Sequence, residues 1–196
     1  VLSATEGQDA LSRGVHLVMA EHTIRELSQR TRDALKDRFD GGYWTGGKAP
    51  LGYRLERSAI GKSQRSRLVI DEAEAARVRL IFEGYVERGL GLKSLGRWLE
   101  ARGIYPREAA QWSHVTLRCV LTNRLYVGEV AYRRTRKRID RATGRKVQRE
   151  NAEAEHLIRH DDSVRIIDDA SFDAAQRAMK FRAKSARRKR EPRPFG

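Results

Sequence analysis

Apolar residues recur at steps of three and four through the first part of the chain, and this spacing predicts a helix over residues 15–39. The repeating positions are Leu17, Ala20, Ile24, Leu27, Thr31 and Ala34. Such a helix would be roughly 36 Å long, which is long for an isolated surface element. A seam of this kind packs against another helix, and a second subunit is its natural partner. Residues 1–7 are expected to form a short strand.

Beyond residue 50 the pattern changes to that of a compact domain. The stretches LGYRLE and SRLVID alternate polar and apolar residues as two strands do. Three helices follow, and their expected capping residues are Asp71 with Glu74, Ser94 and Ser113. The third helix, over residues 114–122, is expected to turn Val115, Cys119 and Val120 inward.

The two shorter helices and an apparent strand at residues 125–134 suggest a helix-turn-helix with a wing, although the loop between the helices is long. In that arrangement the third helix would lie in the major groove of DNA and present His114, Thr116 and Arg118. The alternative is three helices that pack for stability and leave these side chains merely exposed.

A long, basic hairpin loop at residues 135–152, one or two returning strands at 155–168 and a last helix from about Ser171 complete the pattern. The predicted fold class is α+β. A long N-terminal helix is followed by a mainly helical, winged-helix-like DNA-binding domain with small β-strands and a C-terminal helix.

The segment GGYWTGGKAP at residues 41–50 is too rich in glycine to hold one shape alone. It could be a simple linker or an arm that becomes ordered on a partner. Glycine lets a backbone approach a groove closely, and a lysine there can meet a phosphate. Trp44, Lys48 and the nearby Tyr53 are therefore predicted DNA contacts.

Charge narrows the choice of partner. Of 196 residues 34% are charged and 39% apolar, and the net charge is +15. Residues 133–149 and 178–196 carry +8 and +7, so these two windows hold the whole excess. Clustered positive charge is typical of a polyanion binder, whereas the alternative is two solvated tails. The predicted phosphate contacts in the first window are Arg133, Arg134, Arg136, Lys137 and Arg138.

Other kinds of site have little support in the sequence. A single cysteine, Cys119, excludes an internal disulfide and is expected to be a small buried side chain. The five histidines form no recognisable ligand pattern, so no metal and no cofactor are expected in this chain. No phosphate-binding glycine loop or nucleophile elbow occurs. No apolar stretch is long enough to cross a membrane, which predicts a cytoplasmic protein.

Several pieces, taken in order, resemble the large serine recombinases, a family that includes phage integrases and transposon-encoded resolvases. They are AEHTIRELSQRTRDAL, GGYWTGGKAPLGYRL, GLKSLGRWLEARGI, LTNRLYVGEV and IIDDASFDAAQ. The resemblance covers about residues 1–185. It implies that residues 1–40 end a catalytic domain with its long interface helix, that 41–50 is an arm along the minor groove, and that 51–185 is the DNA-binding recombinase domain. Residues 186–196 would be a basic tail leading to a zinc ribbon.

The family cuts and rejoins DNA through a serine near the start of its catalytic domain, without a nucleotide or metal. That nucleophile has no counterpart here, and Ser3 is not it. Where the family often has Glu-Arg-Thr on the long helix, this chain has Gln29, Arg30 and Thr31. The resemblance therefore implies that Arg30 is a phosphate ligand, while Gln29 departs from the pattern. It also implies a bacterial, phage or transposon origin, a homodimer or tetramer through the long helix, and a double-stranded attachment site as partner.

Two rival functions remain at this point. A non-enzymatic DNA-binding regulator or accessory protein would share the charge and the helices. A structural RNA-binding protein would prefer structured RNA to duplex DNA at equal salt. The resemblance favours the DNA-binding portion of a serine site-specific recombinase.

Overall fold

The computed structural model describes residues 4–60, 63–140 and 142–190. The chain divides into two compact units, Val1–Thr45 with Ala59–Arg65, and Gly46–Ser58 with Ser66–Gly196. The first boundary between the two units lies between Thr45 and Gly46, inside the glycine-rich stretch at residues 41–50.

Helix α1 spans Ala4–Asp40, so the predicted N-terminal helix is confirmed and begins earlier than expected. The strand predicted at residues 1–7 is wrong for residues 4–7, which are helical. Residues 1–3 lie outside the described part of the chain. Ala4 and Glu6 favour a helix over a strand, and the segment continues directly into the long helix that follows it.

A glycine ends this helix in a defined way. The amide of Tyr43 donates to the carbonyl of Arg38 at 2.9 Å, and the amide of Gly42 donates to that of Phe39 at 3.1 Å. Gly42 has φ of 80°, in the left-handed region. These are the two hydrogen bonds of a Schellman motif, which satisfies carbonyls that the last turn leaves without partners.

Over the residues described, two strands, three helices, four further strands and a last helix follow. They are β1 (Tyr53–Ile60), β2 (Ser63–Ile70), α2 (Glu72–Val86), α3 (Leu92–Glu100), α4 (His114–Thr122), β3 (Glu129–Tyr132), β4 (Thr135–Ile139), β5 (Lys146–Glu150), β6 (Leu157–His160) and α5 (Asp169–Arg190). Strands β1 and β2 form one two-stranded sheet, β3 and β6 a second, and β4 and β5 a third. The predicted α+β class is confirmed. None of the helices, over the residues described, is long and apolar enough to cross a membrane.

The predicted caps are confirmed at two helices and corrected at one. Asp71 accepts a hydrogen bond from the Glu74 amide at the start of α2, and Ser113 accepts one from the Thr116 amide at the start of α4. Helix α3 begins two residues before Ser94, and its N-cap is Gly91 with no side-chain hydrogen bond. Glycine is acceptable at an N-cap because it imposes no steric cost there.

Four helices surround one core in the second unit. Its buried side chains come from α2, α3, α4 and α5: Ala75, Val78, Ile81, Phe82, Leu95, Leu99, Leu117, Leu121, Phe172 and Ala175. The ring of Phe82 meets that of Tyr126 edge-on at 6.2 Å and that of Phe172 at 6.1 Å. Burying this much apolar surface is the main force that holds the helices together.

Helix α4 turns a different face inward from the one predicted. Leu117, Val120 and Leu121 are buried, whereas Val115 and Cys119 are exposed. Nine residues contain two apolar stripes at helical spacing, and the leucine-containing stripe can bury more apolar area against α3 and α2. The predicted inward positions of Val115 and Cys119 are therefore wrong, and only that of Val120 is right.

The strands after α4 are shorter than expected. Residues 124–127 form a 3₁₀ turn, and strand β3 pairs antiparallel with β6, with Glu129 opposite His160. The returning segment is a strand only at Leu157–His160, with 3₁₀ turns before it at Glu153–Glu155 and after it at Asp162–Val164. Helix α5 starts at Asp169, two residues before the predicted start.

Candidate nucleic-acid interface

The outward face of α4 is the first candidate surface. His114, Thr116 and Arg118, the predicted base contacts, are all exposed. At 100° per residue His114 and Thr116 lie on opposite edges of this face. Accordingly, His114 and Arg118 line one groove with Lys93 and Arg182, whereas Thr116 lines another with Lys48 and Trp112. The structure thus brings together two of the three predicted residues.

The groove beside His114 and Arg118, about 490 Å³ in volume, lies between α3, α4 and α5. Arg182 has a structural role there, because its guanidinium donates to the carbonyls of Gly89 and Leu90 at 2.6 and 2.8 Å and lies 4.4 Å from the centre of the Tyr85 ring. Within the described residues, Lys93, His114 and Arg118 have no ion-pair or side-chain hydrogen-bond partner on the protein. Their polar groups are accordingly available to an external acceptor.

The hairpin of β4 and β5 is the second candidate surface. Arg136 lies directly opposite Arg149, and Lys137 lies opposite Gln148, with all four side chains exposed. Like charges directly across a strand pair repel each other and destabilise the pair. This hairpin therefore carries a charge arrangement that an anion would relieve. The predicted contact Arg138 is in β4, but its side chain lies outside the described part of the chain.

Arg133 and Arg134 lie at the base of this hairpin and are already paired. Arg133 has φ of 61° and donates to the Glu155 carboxylate at 3.1 Å. Arg134 binds Glu129, whose side chain is 6% exposed and also binds Arg124. A buried carboxylate needs such partners, since an unpaired charge is costly to bury. These two arginines fix the hairpin base, and their charge is partly neutralised.

The segment that enters the second unit is held by Arg107. Its guanidinium binds both carboxylate oxygens of Glu74 and donates to the carbonyls of Ala49 at 2.9 Å and Tyr53 at 3.1 Å. The hydrogen bond to Glu74 raises the pKa of Arg107 above its ordinary value. Lys48 forms an ion pair with the neighbouring Glu108. Lys48 is exposed, as a phosphate contact requires.

The sequence-based assignment of Tyr53 to DNA contact is corrected by its burial. Its side chain is 1% exposed, and its hydroxyl donates to the carbonyl of Val164 at 2.7 Å and lies 3.2 Å from that of Leu125. Its ring stacks on Tyr126 with 5.8 Å between centroids. Burial raises the pKa of the Tyr53 hydroxyl far above its ordinary value. This tyrosine is a core residue, and we leave it out of the interface.

Two predicted residues lie in the first unit. Trp44 is half-buried in the glycine-rich segment, next to Tyr43, whose ring lies 5.0 Å from the guanidinium of Arg65. Arg30 is exposed on α1 and forms an ion pair with Glu26 at 3.9 Å. No group of three or more His, Cys, Asp or Glu side chains that could hold a metal ion occurs among the residues described.

The sequence reasoning did not single out Lys93, Arg107 or Arg149. Arg149 could have been predicted as a phosphate contact, because it is inside the basic window, but its place opposite Arg136 depends on the register of the hairpin. Lys93 carries no local signal, since its place beside Arg118 depends on how α3 packs on α4. Arg107 lies 33 residues from Glu74 along the chain, so its role needs the tertiary structure.

A comparison with known proteins finds a family match over the part of the chain that contains α4 and the β4–β5 hairpin. A family model described as Recombinase matches residues 72–182. A solved structure described as "Crystal Structure of a LSR-DNA Complex" is 22% identical with a TM-score of 0.49, over 79% of this chain and 39% of that one. Another, described as "Sequence Requirements of the Listeria innocua prophage attP site", is 21% identical with a TM-score of 0.50, over 83% of this chain and 56% of that one. The second supports a shared fold, and the present chain spans only part of either.

Proposed function

Because the chain belongs to the Recombinase family, as its resemblance to the large serine recombinases led us to expect, we propose that it is the DNA-binding portion of a serine site-specific recombinase. The observation that carries the proposal is a pair of exposed cationic surfaces in the second unit. One is on α4 and the other is on the β4–β5 hairpin. Strand exchange would be an activity of the whole recombinase, acting on DNA in a bacterial cytoplasm. Arg30 is the residue of this chain that we propose as a phosphate ligand in that reaction.

The two cationic surfaces would divide the work of binding. Helix α4 is of a size that enters a major groove, where Arg118 can donate two hydrogen bonds to guanine and His114 one to a base or phosphate. The hairpin presents Arg136, Lys137 and Arg149 to phosphates, which adds affinity without sequence preference. Lys48, in the second unit, and Trp44, in the first, are two further proposed DNA contacts.

Binding across a salt series tests the proposal. Duplexes selected from a random pool by the protein are compared with scrambled duplex and with structured RNA at several salt concentrations. We expect a preference of about 10³-fold or more for the selected duplex at physiological salt, the scale of specific recognition. Equal affinity for all three would contradict the proposal, and tighter binding to the RNA would favour the RNA-binding alternative.

Replacing Arg118 by alanine is expected to relax the sequence preference at one base pair by about 5- to 150-fold, the value of one bidentate contact to guanine. Affinity for scrambled duplex should change little. Competition binding with single-base variants of the selected duplex measures both quantities. Arg79→Ala is the control, because Arg79 is exposed on α2 and paired with Glu72. An Arg118→Ala protein with unchanged preference at every position would exclude α4 as the recognition helix.

The long helix is proposed to pair with a second copy of the chain. Leu17, Ile24 and Leu27 are 56–64% exposed and share one stripe of α1. We expect sedimentation to show a dimer that Ile24→Glu with Leu27→Glu converts to a monomer, because buried carboxylates would be unpaired at the seam. Gln29→Glu with Lys36→Glu, on the opposite face, should leave the dimer intact. A monomer at all concentrations for the unmodified chain would contradict this pairing.

A further inference from the structure

The centre of the outward face of α4 is apolar, although basic side chains border it on one side. Val115 is 56% exposed, and Cys119, one turn further along, is exposed as well. Helix α4 packs into the core through Leu117 and Leu121, so the core does not need the two exposed side chains. Covering an exposed apolar pair removes its surface from water, which favours the binding of whatever covers it.

A third residue continues the same stripe. Thr122 follows Cys119 at helical spacing and is exposed. Its hydroxyl donates to the carbonyl of Arg118 at 2.9 Å, so its one donor hydrogen is used within the helix. The middle of this face consequently offers methyl and thiol groups, whereas hydrogen bonding comes from Arg118 beside it.

The charge around this stripe indicates which occupant covers it. His114 and Arg118 lie along one side of it, and Lys93 contributes a third basic group to the adjoining groove. A major groove of duplex DNA complements this arrangement, because it is lined by phosphates and by base acceptors. The apolar group that base pairs place in the major groove is the 5-methyl group of thymine, or of 5-methylcytosine.

On the basis of the proposed function, we infer that Val115 and Cys119 form a methyl-recognition patch, which contacts the 5-methyl group of a pyrimidine next to the base pair bound by Arg118. These two residues would then determine specificity at one or two positions of the site, in addition to the hydrogen bonds of Arg118. The patch distinguishes thymine from cytosine and from uracil by one methyl group.

Base substitution without any change of hydrogen bonding tests this inference. In the selected duplex each thymine is replaced singly by deoxyuridine, which removes only the methyl group. Burial of one methyl group is worth about fourfold in affinity, so we expect about 3- to 10-fold loss at one or two adjacent thymines and none elsewhere. In Val115→Ala or Cys119→Ala that loss should fall below about twofold. A duplex with 5-methylcytosine at those positions is compared with one that has cytosine there. A higher affinity for the methylated duplex would show that the patch binds the methyl group of either pyrimidine.

The thiol supplies a second measurement. Cys119 is the one cysteine of the chain, so alkylation by N-ethylmaleimide reports on this face alone. Saturating selected duplex should slow the reaction at least about tenfold, and scrambled duplex at equal concentration much less. Thermal unfolding of each variant, which should match the unmodified protein because both side chains are exposed, separates loss of contact from loss of fold.

Failure of this inference is distinguishable from failure of the proposed function. Specific duplex binding that is insensitive to deoxyuridine at every position, or equal alkylation rates with and without selected duplex, would overturn the methyl patch and leave the DNA-binding proposal standing. If no sequence is enriched from the random pool, both are overturned.

Discussion

Replacing Arg136, Lys137 and Arg149 together by glutamine is expected to weaken duplex binding about 10²- to 10³-fold at about 0.1 M salt. Each phosphate contact contributes about 0.9 to the slope of log affinity against log salt, so the slope should fall by about 2.7. Selected and scrambled duplexes should lose affinity equally, because contacts to phosphates carry no sequence information. Titrations at four or five salt concentrations measure the change.

The same variant should not be less stable than the unmodified protein. Arg136 and Arg149 are directly opposite each other, and removing the repulsion between them offsets the loss of their side-chain contacts. The charge-matched control replaces Arg79, Arg88 and Arg177, which lie on α2, after it and on α5. An equal loss of affinity in the control would show that net charge, rather than the hairpin, governs binding.

Replacing Arg107 by methionine is expected to lower the free energy of unfolding by about 2–3 kcal/mol. The change leaves the half-buried Glu74 without its cation and two backbone carbonyls without their donor. Groups left unsatisfied in this way cost more than the lost hydrogen bonds themselves. Chemical denaturation measures the stability, and amide exchange at residues 46–53 should become faster because Arg107 holds this segment.

Arg79→Met is the matched control for that experiment. Arg79 also pairs with a glutamate, at 3.1 Å, but both side chains are largely exposed. Exposed pairs of this kind are worth about 0–1 kcal/mol, so the control should lose little stability. If both variants lost the same small amount, the network around Arg107 would be no more than a surface ion pair.

Features set by neighbouring residues could be predicted from the sequence. The bounds of α4, 114–122, follow from the Ser113 cap and from apolar spacing, both of which are local. The run of cations around a glycine at residues 135–152 predicts a basic hairpin loop, but not that the strands β4 and β5 form it. The recombinase resemblance also rests on short motifs in order, and the family match confirms it.

Features set by distant residues could not be predicted. Whether Tyr53 is exposed or buried depends on carbonyls 72 and 111 residues away. The inward face of α4 depends on which stripe α2 and α3 cover, and the sequence of the helix permits either. Arg133 and Arg134 looked like free cations because the carboxylates that bind them, Glu155 and Glu129, are placed by the pairing of β3 with β6.

The hydrogen bond between Tyr53 and Val164 also sets an order of folding during synthesis. The tyrosine is near the start of the second unit, yet its hydroxyl donates to a carbonyl at residue 164. On the ribosome this bond has no acceptor until 111 further residues have been joined. The entry of the second unit is therefore completed only after residue 164 has left the exit tunnel, whereas Arg107 can hold Ala49 before then.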